Sequence, residues 1–123
     1  RFDWELQRRH ALGARYAQLL AGVPGLTTLA VRADRDCVWG QYTVFVERRA
    51  QVQAARQTQG IPTAVHYPKP LHRQPAYASF AIGARCPVSE RVAEQVLSLP
   101  MSADLSLDDQ DRVAEALAGA MAA

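Results

Sequence analysis

Between Gln41 and Tyr67 the chain changes its apolar period twice, and this limits the fold more than any other feature. QYTVFV, residues 41–46, is rich in β-branched and aromatic residues and alternates, with Tyr42, Val44 and Val46 on one side and Thr43 and Phe45 on the other. From Glu47 to Gln59 the pattern turns helical, and Gly60 stands where a left-handed C-terminal cap is wanted. Ile61 to Tyr67 resumes a β pattern, with Pro62 at its start, where a missing amide donor is tolerated. Strand, helix and strand in one short stretch form a crossover unit. Such a unit makes a parallel pair or leaves a gap for an intervening strand. LTTLAVR, residues 26–32, is predicted to fill that gap antiparallel. The expected fold class is α+β: a small, mostly antiparallel sheet with helices packed on one face.

The flanking segments complete one domain, residues 1–123. Leu12, Tyr16, Leu19, Leu20 and Val23 recur at helical spacing, with Asp3 as the expected cap and Val23-Pro24-Gly25 as the stop. DRDC, residues 34–37, reads as a turn. Pro68 to Pro87 reads as a loop, with prolines at 68, 70, 75 and 87. Ser89 is expected to cap a helix whose apolar face is Val92, Val96 and Leu99, ended by Pro100. Ser106 with Asp109 resembles a capping box, Asp108 adds favourable charge, and Val113, Leu117, Ala120 and Met121 form the buried stripe of the last helix. Trp39, Tyr77 and Phe80 are expected as core or interface filler, and Arg48-Arg49 as a solvated helix start.

Charge and composition remove several function classes. Fourteen basic residues oppose twelve acidic ones, interleaved along the chain, for a net charge of +2. Nucleic-acid binding would need a basic stripe, and none is present. No apolar run reaches the length of a membrane span, and no signal-peptide pattern opens the chain. Cys37 and Cys86 stand far apart, which suits reduced thiols in a cytoplasmic protein. The chain opens on Arg1, and RFDWELQRR reads as the approach to a helix, so a longer parent polypeptide is expected, with a processed mature protein as the alternative.

Equipment for catalysis is sparse. There is no GxSxG elbow, neither cysteine sits in a nucleophile setting, and GVPG at 22–25 is a helix stop rather than a phosphate loop. His10, His66, His72 and Cys86 match no metal-ligand spacing. Lys69 is the only lysine. Set between two prolines in a polar loop, it reads as a solvated ammonium rather than a Schiff-base amine. In TAVHYPKPLH, residues 63–72, a β-type run delivers His66 and Tyr67 into that proline-restrained exit. The two residues either plug a corner of the core or are presented to a ligand. If the strand continues, Tyr67 points away from His66, and Pro68 and Pro70 fix the position of both.

QYTVFVERR, GIPTAVHYPKPLHRQPAY, PVSERVAEQVLSLPM and DLSLDDQDRVAEAL, in this order, resemble the C-terminal part of the nucleotide-sugar aminotransferases of the DegT/DnrJ/StrS family, over nearly the whole chain. The wording of TAVHYPKPL is most similar to enzymes that aminate a UDP-2-acetamido-2-deoxy-3-oxo-hexuronate. The resemblance implies the small C-terminal domain of a fold-type I aminotransferase. The large domain upstream would carry the lysine that holds pyridoxal 5'-phosphate, the aspartate on its pyridine nitrogen and the phosphate cup. It implies that His66 and Tyr67 contact the nucleotide sugar, in an active site shared by the two subunits of a homodimer. Gln41, Lys69 and His72 are further candidates, and no catalytic, cofactor-binding or metal-binding residue is assigned to these positions. Glutamate is the implied amino donor, and cell-surface polysaccharide, lipopolysaccharide included, the implied destination of the product. Two other readings stay open: a non-catalytic nucleotide-sugar-binding module, and a pyridoxal-phosphate-dependent sugar dehydratase whose lysine is replaced by histidine upstream. SFAIGARC, residues 79–86, departs from the longer glycine-containing loop of many relatives.

Overall fold

The computed structural model describes residues 1–122. Its elements run α1 (Phe2–Leu19), β1 (Leu26–Thr28), β2 (Tyr42–Val46), α2 (Arg49–Thr58), α3 (Pro87–Gln95), β3 (Val96–Leu99) and α4 (Leu107–Ala122). The three strands form an antiparallel sheet in the order β1-β2-β3. Register follows the alternation in the sequence. Tyr42 lies opposite Leu99, Thr43 opposite Ser98, Val44 opposite Leu97 and Phe45 opposite Val96. One face therefore carries Tyr42, Val44, Val46, Leu97 and Leu99. That face packs against Tyr16 of α1 and Leu20 just past its end, Val52 of α2, and Val113, Leu117 and Met121 of α4. The α+β class, with a small antiparallel sheet, is as the sequence led us to expect.

The gap in the crossover is real, but a different segment fills it. Ala64 bridges Ser98 of β3 through Ala64 N–H to Ser98 O at 3.1 Å and Ser98 N–H to Ala64 O at 2.7 Å. β3 thus lies between β2 and the segment that comes after α2. LTTLAVR pairs instead with the other edge of β2, and only over Leu26–Thr28. Past Thr28 every residue of that run is exposed, so no burial offsets the cost of ordering it. The run Ile61–Tyr67 also contributes less than a strand. Pro62 offers no donor, and the ladder is confined to Ala64.

The expected helix over 89–99 is the main correction. α3 begins earlier, with Pro87 in its first turn, and gives way at Val96, which is already extended. Val96, Leu97, Ser98 and Leu99 are all buried. A helix there would turn some of these side chains to water. A strand between β2 and Ala64 buries all four, and tertiary burial overrides the local pattern. At the N-terminus α1 starts at Phe2, ahead of the expected Asp3 cap, which lies in the first turn and there favours the helix dipole. α4 starts as expected. Ser106 Oγ accepts from the Asp109 amide at 3.1 Å and donates to Asp109 Oδ2 at 2.7 Å.

Three polar ties hold the packed face together. Gln110, fully buried, donates from Nε2 to Leu12 O at 2.7 Å and joins α4 to α1. Tyr16 donates to Pro100 O at 2.9 Å and fixes the exit of β3. Arg49 is not the solvated residue expected of it. It donates to Ala93 O and, at 3.4 Å, to Val96 O, tying α2 to the α3–β3 junction. Arg48 is exposed, in the left-handed region with φ 53°.

Trp39 belongs to the core as expected, and it explains a glycine. The indole stacks near Tyr42 at 4.7 Å between ring centroids, and Tyr42 near Tyr16 at 4.8 Å. Burial pushes the Tyr42 phenol up to about 12 and the Tyr16 phenol higher still, so the cluster is uncharged. A Cβ on Gly13, in the middle of α1, would collide with that indole. Helix propensity alone makes Gly→Ala stabilising by about 1 kcal/mol. Here the buried, rigid ring has to move, an overpacking cost of ~1–3 kcal/mol. Gly13→Ala is expected to destabilise the domain in urea denaturation, and a gain in stability would show that the ring is free to yield.

Candidate functional site

The sheet face turned away from the core carries Thr43 and Phe45 of β2 with Val96 and Ser98 of β3. Ser98 is 4% exposed, inside an otherwise apolar run. Its hydroxyl is shared: Oγ lies 3.0 Å from Thr43 Oγ1 and 3.0 Å from His66 Nδ1. The Ala64–Ser98 bridge brings His66 to this point, two residues beyond the last ladder hydrogen bond.

His66 is half-buried and lines two open grooves that adjoin at its ring. The first, about 270 Å³, is bounded by Gly40, Gln41, Pro62, Ser98 and Met101. The second, about 480 Å³, runs past Tyr67, Lys69, Leu71, His72 and Val92. The His66–Tyr67 peptide is cis. The rings meet edge to face, 5.7 Å between centroids at 80°. The expected divergence of these two side chains does not occur, because the chain leaves the ladder at Ala64 and strand alternation no longer governs it. Tyr67 is 70% exposed, so it plugs nothing within this chain. His66 Nε2 makes no hydrogen bond among the described residues and is not a buried atom without a partner.

The further candidates separate by environment. Gln41 is exposed at the rim of the first groove and Lys69 at the rim of the second. His72 is committed to structure. With its side chain 13% exposed, Nε2 lies 2.8 Å from Glu90 Oε1, and Arg73 donates to the same oxygen at 2.9 and 3.1 Å. This clamp fastens the short turns Leu71–Arg73 and Pro75–Tyr77 to α3. Beyond it the loop is open. Phe80 and Ile82 are each 87% exposed and Tyr77 is also exposed, so Tyr77 and Phe80 are not core within this chain.

The hydrogen bonds from His72 and Arg73 hold the Glu90 carboxyl below the usual carboxylate range. A carboxylate with a depressed folded-state pKa stabilises the fold above its unfolded pKa, and that contribution is lost as pH falls through the folded value. Hydrogen-exchange protection of the Arg73, Gln74 and Tyr77 amides is therefore expected to collapse in that acid range while the sheet stays protected. Glu90→Gln should show the same loss at neutral pH. Unchanged protection in Glu90→Gln would mean that the clamp does not order the loop.

Sequence reasoning missed Ser98 and Thr43. The available signal was a serine inside VLSLP, a polar group that a buried run accommodates only when it is hydrogen-bonded. Among the described residues no group of three or more His, Cys, Asp or Glu is placed to hold a metal ion, and no helix is long and apolar enough to cross a membrane. An aldehyde coenzyme held as a Schiff base needs an amine in a sheltered pocket. The single lysine, Lys69, is exposed, between two prolines on the loop. The residues present do not fit such a coenzyme's anchor.

Known proteins match the chain over part of their own length. The model of the DegT/DnrJ/EryC1/StrS aminotransferase family matches residues 1–118. The chain is 41% identical over 111 residues to the dTDP-3-amino-3,4,6-trideoxy-alpha-D-glucose transaminase of Streptomyces venezuelae, covering 89% of this chain and 29% of that protein. It is 42% identical over 100 residues to the UDP-2-acetamido-2-deoxy-3-oxo-D-glucuronate aminotransferase of Pseudomonas aeruginosa, covering 81% and 27%. The crystal structure of S. venezuelae DesV in complex with a ketimine intermediate superposes with a TM-score of 0.92 at 39% identity, over 97% of this chain and 32% of that one. The chain thus spans less than a third of the length of each.

Proposed function

The chain belongs to the DegT/DnrJ/EryC1/StrS aminotransferase family, and from that membership we propose that it is the C-terminal small domain of an enzyme that aminates a keto nucleotide sugar. Enzymes of this family depend on pyridoxal 5'-phosphate. The large domain of the same polypeptide supplies the coenzyme-anchoring lysine, a role that the exposed Lys69 does not fill. The role of residues 1–123 is to bind and orient the sugar nucleotide through His66 and Tyr67, with no catalytic residue of its own. The observation that carries this reading is the meeting of two family-like segments, GIPTAVHYP and LSLP, at the His66–Ser98 hydrogen bond between two open grooves. An imidazole and a phenol suit the task, since both donate to phosphate or sugar oxygens and tolerate partial burial.

The names of the two relatives differ in nucleotide but share chemistry at carbon 3 of the sugar. A 3-keto sugar nucleotide is accordingly the proposed substrate class, with UDP as the carrier and glutamate as donor. The product serves cell-surface polysaccharide synthesis in the cytoplasm. A homodimer is supported by Phe80 and Ile82, whose apolar side chains stand open on the loop beyond Tyr67 and suit burial against a second subunit.

The test uses the full-length protein with pyridoxal 5'-phosphate, glutamate, and UDP- and dTDP-linked 3-keto sugars, following amino-sugar formation by mass spectrometry. Turnover of the UDP-linked substrate is expected, and the 123-residue chain alone should bind no stoichiometric coenzyme and turn nothing over. Unaided conversion by the 123-residue chain, or no amination by the full-length enzyme of any keto nucleotide sugar, would sink the reading.

A further inference from the structure

The geometry points to Ser98 as a positioning residue that fixes the tautomer of His66, so that the ring offers Nε2–H as a donor to an acceptor oxygen of the substrate. The inference rests on the substrate-binding role proposed above for His66 and goes beyond it by naming the atom, its proton and the group that holds it there.

Three polar side chains form a line across the outer face of the sheet. Thr43 Oγ1, Ser98 Oγ and His66 Nδ1 are joined by two 3.0 Å contacts. Each hydroxyl has one proton to give, so the line can run in three ways. In the first, Thr43 donates to Ser98 and Ser98 donates to Nδ1, and both hydroxyl protons end on an acceptor inside the site. In the second, Thr43 and Nδ1–H both donate to Ser98, whose own proton is left without an acceptor among the described residues, and in the third Nδ1–H donates to Ser98 and Ser98 to Thr43. The Thr43 proton then has no acceptor among the described residues, since Oγ1 makes no other hydrogen bond there. Only the first satisfies both hydroxyl donors. It requires the neutral ring to carry its proton on Nε2, the nitrogen that is free.

The backbone fixes the line as well. Both hydrogen bonds of the Ala64–Ser98 bridge clamp the residue that bears the hydroxyl against the segment that bears the ring. Ser98 sits in a strand buried at all four positions, where a hydroxyl is costly unless bonded. Its two bonds offset that cost, and the second of them goes to His66. The ligand group opposite Nε2 must then be an acceptor, such as a phosphate, carboxylate or sugar oxygen.

The experiment is ¹⁵N NMR of histidine-labelled full-length protein, with His66 assigned by its absence in His66→Ala, alongside steady-state kinetics. In the wild type the His66 ring should appear as a single tautomer protonated on Nε2. Ser98→Ala should convert it to a mixture and raise KM for the nucleotide sugar by about five- to tenfold, with kcat within about twofold, the size of one lost neutral hydrogen bond. Thr43→Val, isosteric and acceptable in a strand, should weaken the tautomer bias without unfolding the sheet, and it decides the question if Ser98→Ala does not fold. A wild-type ring protonated on Nδ1, or a tautomer unmoved by Ser98→Ala, or by Thr43→Val where the alanine variant does not fold, would overturn the inference. If the tautomer shifts but KM stays put in both Ser98→Ala and His66→Ala, the positioning stands and the substrate-binding role of His66 falls.

Discussion

Leu97→Ala is expected to lower the unfolding free energy by about 2–5 kcal/mol, the range for truncating a fully buried leucine. Urea denaturation measures it, as a lower midpoint at unchanged slope. Leu97 is 0% exposed, lies opposite Val44 in the sheet, and belongs to the cluster with Tyr16, Val52 and Leu117. The size of the effect separates a helix from a strand in the same segment. If Ser89 to Leu99 formed one helix with its apolar face at Val92, Val96 and Leu99, Leu97 would stand off that face and its truncation would cost little. In the strand, Leu97 and Leu99 share the core face. Leu97→Met, which nearly conserves volume, should cost less than about 1.5 kcal/mol. A loss below about 1 kcal/mol in Leu97→Ala would remove β3 from its place between β2 and Ala64.

That ambiguity shows where local pattern stops being informative. α1, β2, α2 with its Gly60 stop, and α4 with its Ser106–Asp109 cap were all legible, because each carries a period or a terminal signal that only one structure satisfies. VAEQVLSLP satisfies two. Its apolar residues at 92, 96 and 99 fit a helical stripe, and VLSL alone fits a buried strand. What decides between them is a vacancy in the sheet between β2 and Ala64, created by residues far upstream, and no short window contains it. The same nonlocal cause moved LTTLAVR to the far edge of β2.

The candidate site was legible to a similar depth. His66 and Tyr67 stand out because prolines come directly after them, and both line grooves in the fold. The residues that hold His66 did not stand out. Ser98 was hidden by the helical reading of its segment, and Thr43 by its ordinary place in an alternating strand. His72 stood beside His66 as a further candidate for contact with the substrate. Its partner Glu90 lies eighteen residues away, and only the fold shows that its ring is engaged. For Tyr77 and Phe80 the obstacle is different. Aromatic composition says that a residue will be buried by something, and not whether that something is in the same chain.

His66→Ala is expected to raise KM for the nucleotide sugar about 10- to 100-fold in the full-length enzyme while kcat changes by no more than about threefold. The magnitude comes from the chemistry of the contact. A hydrogen bond to a charged oxygen contributes about 1.5–3 kcal/mol, and each 1.4 kcal/mol is a factor of ten in binding. The split comes from the role. A residue that holds the sugar nucleotide equally in ground and transition states affects KM alone, whereas one that moves a proton during the reaction lowers kcat. Stability supplies the third coordinate. His66 is only half-buried and makes one side-chain hydrogen bond, so its loss should cost the fold no more than about 1 kcal/mol. A structural plug would give the reverse pattern: a marked drop in Tm and an unchanged KM for the enzyme that remains folded. Tyr67→Phe, which removes one exposed hydroxyl and leaves the ring, should raise KM by about fivefold at most. A fall in kcat with KM held, in either variant, would move these residues from holding the substrate to transforming it.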